Sequence, residues 1–301
     1  MRIGIFGGAT LGGTIDSIVD AAHTVEQQGF STYWLPQIFG VDALTTLAVI
    51  GREVPRIELG TAVVPTYPRH PVMLAAQALT TQACCDGRLA LGIGLSHQPV
   101  IEGMFGISFE KPARHMREYL EVLVPLVRGE RVSYKGETVA ADAGLDVKGA
   151  APFPVLLAAL GPRMLELAGR VGDGTITWMT GPKTIESHIV PSIRAAAERA
   201  GRPAPRVAVG LSVCVTSDEP AARERAARVF TMYNGLPSYK AMLDLEGVSG
   251  PADVAVMGDE RSVASQLEHL MEVGGSEFLA NEFGDADEKK RTRELLASLV
   301  T

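Results

Sequence analysis

The sequence is poor in the features that mark secreted, membrane-spanning or nucleic-acid-binding proteins. Three cysteines, Cys84, Cys85 and Cys214, are too few for a disulfide framework and do not form a C-x-x-C ligand pair. Cys84 and Cys85 are neighbours that can hardly bridge each other, so they read as reduced side chains. No apolar run reaches the roughly 18 residues that a membrane span requires. The opening MRIGIFGG lacks the long apolar core of a signal peptide and reads as a first strand, so a cytoplasmic location is expected. Positive charge is in deficit: 28 Lys and Arg stand against 35 Asp and Glu, a net −7. That balance gives nucleic acid no electrostatic footprint. The expected partner is a small-molecule substrate.

What is present is core-forming material, with 46% hydrophobic and 21% charged residues over 301 positions. The runs 2–6, 31–36, 56–64, 88–95, 154–160, 174–179, 206–215 and 276–283 are short and apolar, bounded by Gly, Pro or charge. Strands buried on both faces read this way. Helix-length stretches lie between them at 14–29, 42–54, 72–86, 113–128, 161–172, 182–200, 219–235 and 260–274, with a last one at 286–299. Strict alternation implies parallel strands joined by helical crossovers. An α/β (β/α)8 TIM barrel fits the count and leaves no edge strand exposed. Two stretches depart from the pattern. RVSYKGETV, within 129–153, reads as a hairpin across Lys135–Gly136 inserted before the fifth strand. The segment 236–259 reads as an extra loop or helix region before the eighth helix. No repeat or linker divides the chain, so 1–301 reads as one domain.

Several motifs stop short of a known chemistry. RIGIFGGATLGG imitates a dinucleotide fingerprint, but Ala9 occupies a required glycine position, and YWLPQ offers no acidic residue for a ribose. GLSHQ (94–98) is half a nucleophile elbow, with Gln98 in place of the second glycine. HMRE (115–118) sets His115 and Glu118 on one helix face; without further ligands the pair reads as a surface contact, and no metal is expected. His23, His188 and His269 fall in helices and read as solvated or capping residues.

A barrel enzyme keeps its chemistry at the C-terminal ends of its strands. Here those ends read Phe6-Gly7, Pro36-Gln37, Ala62-Val63, Leu95-Ser96-His97, Leu160-Gly161-Pro162 and Trp178-Met179. They are neutral and mostly small or apolar, which suits a flat ring held by shape and backbone contacts. The small residues Gly7, Gly8 and Ala9 argue for an open entrance. His97 is the one ionisable side chain among these ends. Gly161-Pro162 begins a helix whose free amides, with Arg163, make an anion site. A flat ring with an anionic tail describes a phosphorylated, flavin-like cofactor.

These residues carry a resemblance. The stretch LGTAVVPTYPRHPVMLAAQALTTQACCDGRLALGIGLSH (59–97) resembles the signature segment of the bacterial luciferase-like oxidoreductases. YWLPQ, ARHMREYLEVLVPL (113–126) and LLAALGPRMLELAGRVGDGTIT (156–177) are similar to further segments of that family, in the same order. The resemblance spans roughly the whole chain and implies a (β/α)8 barrel binding FMN or the deazaflavin coenzyme F420. It is stronger to the deazaflavin-dependent, actinobacterial branch. It implies a non-prolyl cis peptide at Ala62–Val63, after Thr61, making a bulge behind the ring. Gln37, Leu95 and Ser96 would flank the ring. Ala159, Leu160, Gly161, Pro162 and Arg163 would meet the phosphate, and Trp178 and Met179 the tail, with Lys183 beyond. His97 matches a position that is an acidic proton donor in the sugar-phosphate dehydrogenases of the branch. Those enzymes carry an Asp-His pair where this chain has Gln37-Ile38, which removes the base for oxidising a sugar hydroxyl. Phe6, Gly7, Ile38 and Phe39 then form an apolar substrate pocket, and the family implies a homodimer.

The expected activity is hydride transfer between deazaflavin C5 and a small, fairly apolar organic substrate. His97 would supply a proton, since an unperturbed imidazole titrates near ~6.5. The alternative is an FMN-dependent monooxygenase using oxygen and a separate reductase. A cofactor-storage protein and a Ser96 hydrolase are the readings outside that class.

Overall fold

The alternating runs close into a barrel. The computed structural model describes residues 1–7 and 13–300; Gly8 and Ala9, read as opening the entrance, lie outside the described residues. The strands are β1 (Ile3–Phe6), β2 (Thr32–Leu35), β3 (Glu58–Thr61), β4 (Val64–Pro65), β5 (Leu89–Gly94), β6 (Val132–Lys135), β7 (Ala140–Ala143), β8 (Val155–Leu157), β9 (Gly174–Trp178), β10 (Arg206–Val215), β11 (Val256–Gly258) and β12 (Glu277–Glu282). Parallel pairing runs β10-β12-β1-β2-β3-β5-β8-β9, and β9 pairs with β10 to close the ring. Each strand of that ring falls inside one of the eight predicted runs.

The helices are α1 (Ile15–Gln27), α2 (Ala43–Glu53), α3 (Pro71–Cys84), α4 (Gln98–Phe105), α5 (Pro112–Val127), α6 (Pro162–Arg170), α7 (Pro182–Thr184), α8 (Val190–Arg199), α9 (Glu219–Val229), α10 (Pro237–Glu246), α11 (Glu260–Glu272) and α12 (Ala286–Leu299). A π-helical turn, Ile185–Ile189, joins α7 to α8. The sequence supplies the start signals: Thr14, Asp42, Asp218, Asp259 and Asp285 each accept an amide of the first turn. No helix among the described residues is long and apolar enough to cross a membrane.

Two regions differ from the sequence reading. The hairpin forms, but its turn spans 136–139, with Lys135 opposite Ala140. The Glu118 carboxylate fixes that turn by accepting from the Thr138 amide and hydroxyl and the Val139 amide. The region before the last two helices is ordered as α10, a 3-10 turn (Pro251–Val254) and β11, which extends the sheet beside β10. The 219–235 stretch is helical only to Val229 and continues as a 3-10 turn, Thr231–Gly235. α4 also lies outside the predicted elements.

Inside the barrel, one layer comprises Trp34, Ala90, Leu156, Ile176, Ala208 and Leu279 from different strands. β1 and β3 contribute glycine instead. A Cβ on Gly60 would sit 2.2 Å from Trp34 Cε3, and one on Gly4 would sit 1.9 Å from Thr32 Oγ1. The indole therefore fills the volume that Gly60 leaves and the Thr32 hydroxyl that at Gly4, as close packing requires. Below it the strand starts carry charge: Arg206 pairs with Glu277 and Glu58, and Arg2 lies 3.1 Å from Glu58. Glu277 is fully buried. Thr32 donates to it, Trp34 Nε1 lies 3.3 Å from it, and the Arg206 guanidinium stands 5.1 Å over the Trp34 ring. Above the layer sit Phe6, Ala62 and Val63.

Candidate active site

The C-terminal mouth gathers most of the predicted residues. The Ala62–Val63 peptide is cis, as the resemblance implies, directly after β3. Gly94, at the end of β5, is the neighbour of this bulge: a Cβ there would meet Val63 Cγ2 at 2.7 Å and Ala158 Cβ at 3.1 Å. Gly7 is likewise closed to a side chain by Leu35 and Tyr33, and its amide donates to the Trp34 carbonyl at 2.8 Å. Ser96 and Met179 take left-handed backbone conformations, with φ of 61° and 52°. Such conformations are costly for these residue types and cluster at functional sites. Both follow a barrel strand.

An aromatic arc lines one side. Phe6 stacks on Trp178 with centroids 5.6 Å apart. Trp178 meets Tyr233 edge-on at 6.2 Å, Tyr233 meets Tyr239 at 4.9 Å, and Tyr239 lies 5.7 Å from the His97 ring. Phe230 and Phe283 back the arc. Sequence reasoning missed Phe230, Tyr233 and Tyr239. The available signal was three aromatics within FTMYNGLPSY, in a chain with 6% aromatic residues. Ile38 and Phe39, on the loop after β2, are exposed at 43% and 58% and form an apolar rim.

His97 is the N-cap residue of α4 and makes no capping side-chain hydrogen bond. Burial holds its imidazole below the ordinary histidine value from which the sequence expectation started. Its position at a helix N-terminus acts in the same direction, because that end disfavours a cation. No hydrogen bond joins Ser96 to His97 among the described residues, so the two do not form a nucleophile–base pair.

Some predicted ligands are committed elsewhere. The Thr61 hydroxyl bridges β3 to β5, donating to the Gly92 carbonyl at 2.8 Å and accepting from its amide at 2.9 Å. The Gln37 Oε1 accepts from the Ala43 amide and from Arg69, within a network that includes Asp42 and Gln77. Ala159 is fully buried against Thr175, whose hydroxyl donates to its carbonyl at 3.1 Å. His188, expected as solvated or capping, instead donates Nε2–H to the Leu160 carbonyl at 2.8 Å and anchors the turn after β8. Leu95 is half-buried beside Ser96.

The two nearby helix starts differ. At α7 the Glu246 carboxylate accepts from the Lys183 and Thr184 amides, so a carboxylate already occupies that end. At α6 the N-cap is Gly161, without a side chain to cap the first turn. Pro162 and Arg163 are exposed, and the Arg163 side chain lines a groove with Ala113 and Arg117 of α5.

His115 and Glu118 correct the surface reading: they are only 7% and 3% exposed. The His115 ring stacks on Tyr67 at 4.0 Å and lies 3.1 Å from Thr66 Oγ1. Burial lowers its pKa to about 4, against an opposing pull from Glu118. Burial raises the Glu118 carboxyl, but the Thr138 and Val139 hydrogen bonds outweigh it and leave a net lowering.

The geometry has counterparts among known proteins. A methylenetetrahydromethanopterin reductase of Methanolobus tindarius is 30% identical over 248 residues, covering 81% of this chain and 76% of its own. An F420-dependent glucose-6-phosphate dehydrogenase of Nakamurella multipartita is 29% identical over 262 residues, covering 81% and 75%. The fold matches that of an F420-dependent secondary alcohol dehydrogenase solved with an F420-acetone adduct, with TM-score 0.81 at 18% identity, covering 100% and 99%. The family model for luciferase-like monooxygenases matches residues 1–281, and the chain belongs to that family.

Proposed function

We propose that this protein is an oxidoreductase that binds coenzyme F420 at the barrel mouth and exchanges a hydride with a small, uncharged, fairly apolar organic substrate. The observation that carries this reading is the neutral, aromatic-lined mouth beside a helix start with no capping side chain. The Ala62–Val63 bulge, where Gly94 keeps the backbone close, would back a flat tricyclic ring. The Arg163 amide, uncapped in the first turn of α6, suits a phosphate oxygen. When bound there, reduced F420 supplies hydride from ring carbon C5.

The chain's own residues orient and shield. Phe6, Trp178 and Tyr233 exclude water from one side, and Ile38 and Phe39 guide an apolar substrate inward. His97 meets the substrate as a neutral imidazole, with one donor and one acceptor nitrogen. The absence of the Asp-His pair, replaced by Gln37-Ile38, argues against a sugar phosphate. A single barrel over 1–301, acting in the cytoplasm as a homodimer, completes the proposal.

Cofactor titration tests it. The chain has two tryptophans; Trp34 is fully buried below the mouth and Trp178 is half-buried within it. Quenching of tryptophan fluorescence therefore reports chiefly on Trp178. F420 should quench at lower concentration than FMN. Micromolar FMN binding beside undetectable F420 binding would move the protein to the monooxygenase reading.

A further inference from the structure

We propose that Tyr239 is a positioning residue for His97, holding the imidazole at one end of the aromatic arc that begins at Phe6. The ring centroids are 5.7 Å apart and tilted by 57°. No side-chain hydrogen bond fixes the His97 ring among the described residues, so packing has to do it. Tyr239 is itself held at 4.9 Å by Tyr233, which leans on Trp178. An aromatic contact of this kind both orients a ring and keeps water from it.

The electrostatic surroundings point the same way. The groups facing His97 are Tyr239 from α10 and, behind it, Tyr233 from the 3-10 turn that precedes α10; burial holds both phenols protonated. On α4 the nearest titratable group is Glu102, engaged with Gln98 Nε2 and the Phe109 amide. Lys240, next to Tyr239, is paired with Asp244. Among the described residues no carboxylate pairs with His97 to stabilise an imidazolium, and the α4 N-terminus opposes one. His97 therefore stays neutral, and the substrate class it suits is an uncharged molecule presenting a carbonyl or hydroxyl oxygen. A carboxylate would gain no charge attraction there.

The test uses the full-length, cofactor-free protein first, so it stands apart from the oxidoreductase reading on which its catalytic arm rests. His97 is identified among the six histidines by its loss in His97→Gln, and its ring signals are followed by NMR against pH. The wild type should titrate below the ordinary ~6.5. Tyr239→Ser should move that titration up toward the ordinary value, and Tyr239→Phe should restore it. If Tyr239→Ser does not fold, Tyr239→Leu serves: the aromatic ring-current shift on the His97 protons should disappear in it and persist in Tyr239→Phe. In the loaded enzyme, Tyr239→Ser should lower kcat by up to about 10²-fold, the scale of a ~1 Å misplacement, with cofactor KM little changed. An unmoved His97 titration in folded Tyr239→Ser, or an unmoved ring-current shift in Tyr239→Leu, would overturn the proposal. So would a Tyr239→Phe enzyme as impaired as Tyr239→Ser, since the hydroxyl would then be the working group.

Discussion

The two ends of the barrel are built from the same strands and have opposite chemistry. At the N-terminal end, Thr32, Glu58, Arg206 and Glu277 are each the first residue of a strand, and Arg2 precedes another. They neutralise one another around a fully buried carboxylate and under an indole. At the C-terminal end the matching positions are neutral except Glu282, which pairs with Arg293 of α12, and among the described residues His97 has no ion-pair partner there. An open groove of about 690 Å³ lies at the charged end, lined by Arg2, Glu58, Arg194 and Arg206 among others. Most of that charge is already committed to internal pairs. The difference teaches that one end of this barrel is held by buried ion pairs and the other mainly by aromatic packing and backbone hydrogen bonds.

Breaking the charged end should have the largest effect on stability. Arg206→Met removes the main partner of a fully buried Glu277, and breaking such a pair costs about 3–5 kcal/mol. Chemical denaturation should show that loss, with cofactor affinity of the folded fraction unchanged. Breaking the mouth should do the reverse: His97→Ala should lower turnover by roughly 10²-fold, through loss of the hydrogen bond that the neutral imidazole offers the substrate, with the melting temperature little moved. Gly60→Ala tests the layer between the ends, because its Cβ collides with Trp34. Overpacking of that kind destabilises by about 1–3 kcal/mol, and a melt would show it.

A pH experiment sharpens the comparison through His115, beside the mouth. Unfolded, this histidine protonates near ~6.5. Folded, it stays neutral down to about 4. Between those values the unfolded chain holds the extra proton, so stability should fall as pH drops through that window. His115→Gln should flatten that slope in urea melts from pH 7 to pH 4; an unchanged slope would show that His115 does not contribute. The smallest effect is expected from Arg163→Ala. With the guanidinium in the α5–α6 groove and the first-turn amide of α6 in place, F420 and FMN should each weaken by less than ~1 kcal/mol, the scale of a helix-end interaction. A loss of tenfold or more would put the side chain on the phosphate.

How far the sequence carried depended on the range of the interaction. The barrel strands, most helices and their Asp or Thr caps were legible because apolar runs and caps are signals of a few neighbouring residues. The neutral strand ends were legible for the same reason. HMRE was misread because the partners of its two buried side chains lie far along the chain. His115 reaches Thr66, and Glu118 reaches Thr138 and Val139. Likewise, the hydrogen bonds of the Thr61 hydroxyl to Gly92 of β5 form only because β5 lies alongside β3.

By itself the sequence determined the alternation, the closed parallel barrel and the largely neutral mouth with a single imidazole, and its resemblance to the family implied the place of the bulge after Thr61. The tertiary structure alone decided which distant side chains meet at those places. Nothing local brings Tyr239 of α10 to His97 of α4, or Arg206 of β10 to Glu58 of β3. Those contacts exist because closing the sheet sets strand starts against strand starts and strand ends against strand ends. Charges meet at one end and aromatic rings at the other. The protonation state of His97 depends on that closure, since burial and a neighbouring ring are properties of the assembled mouth and not of any segment of chain.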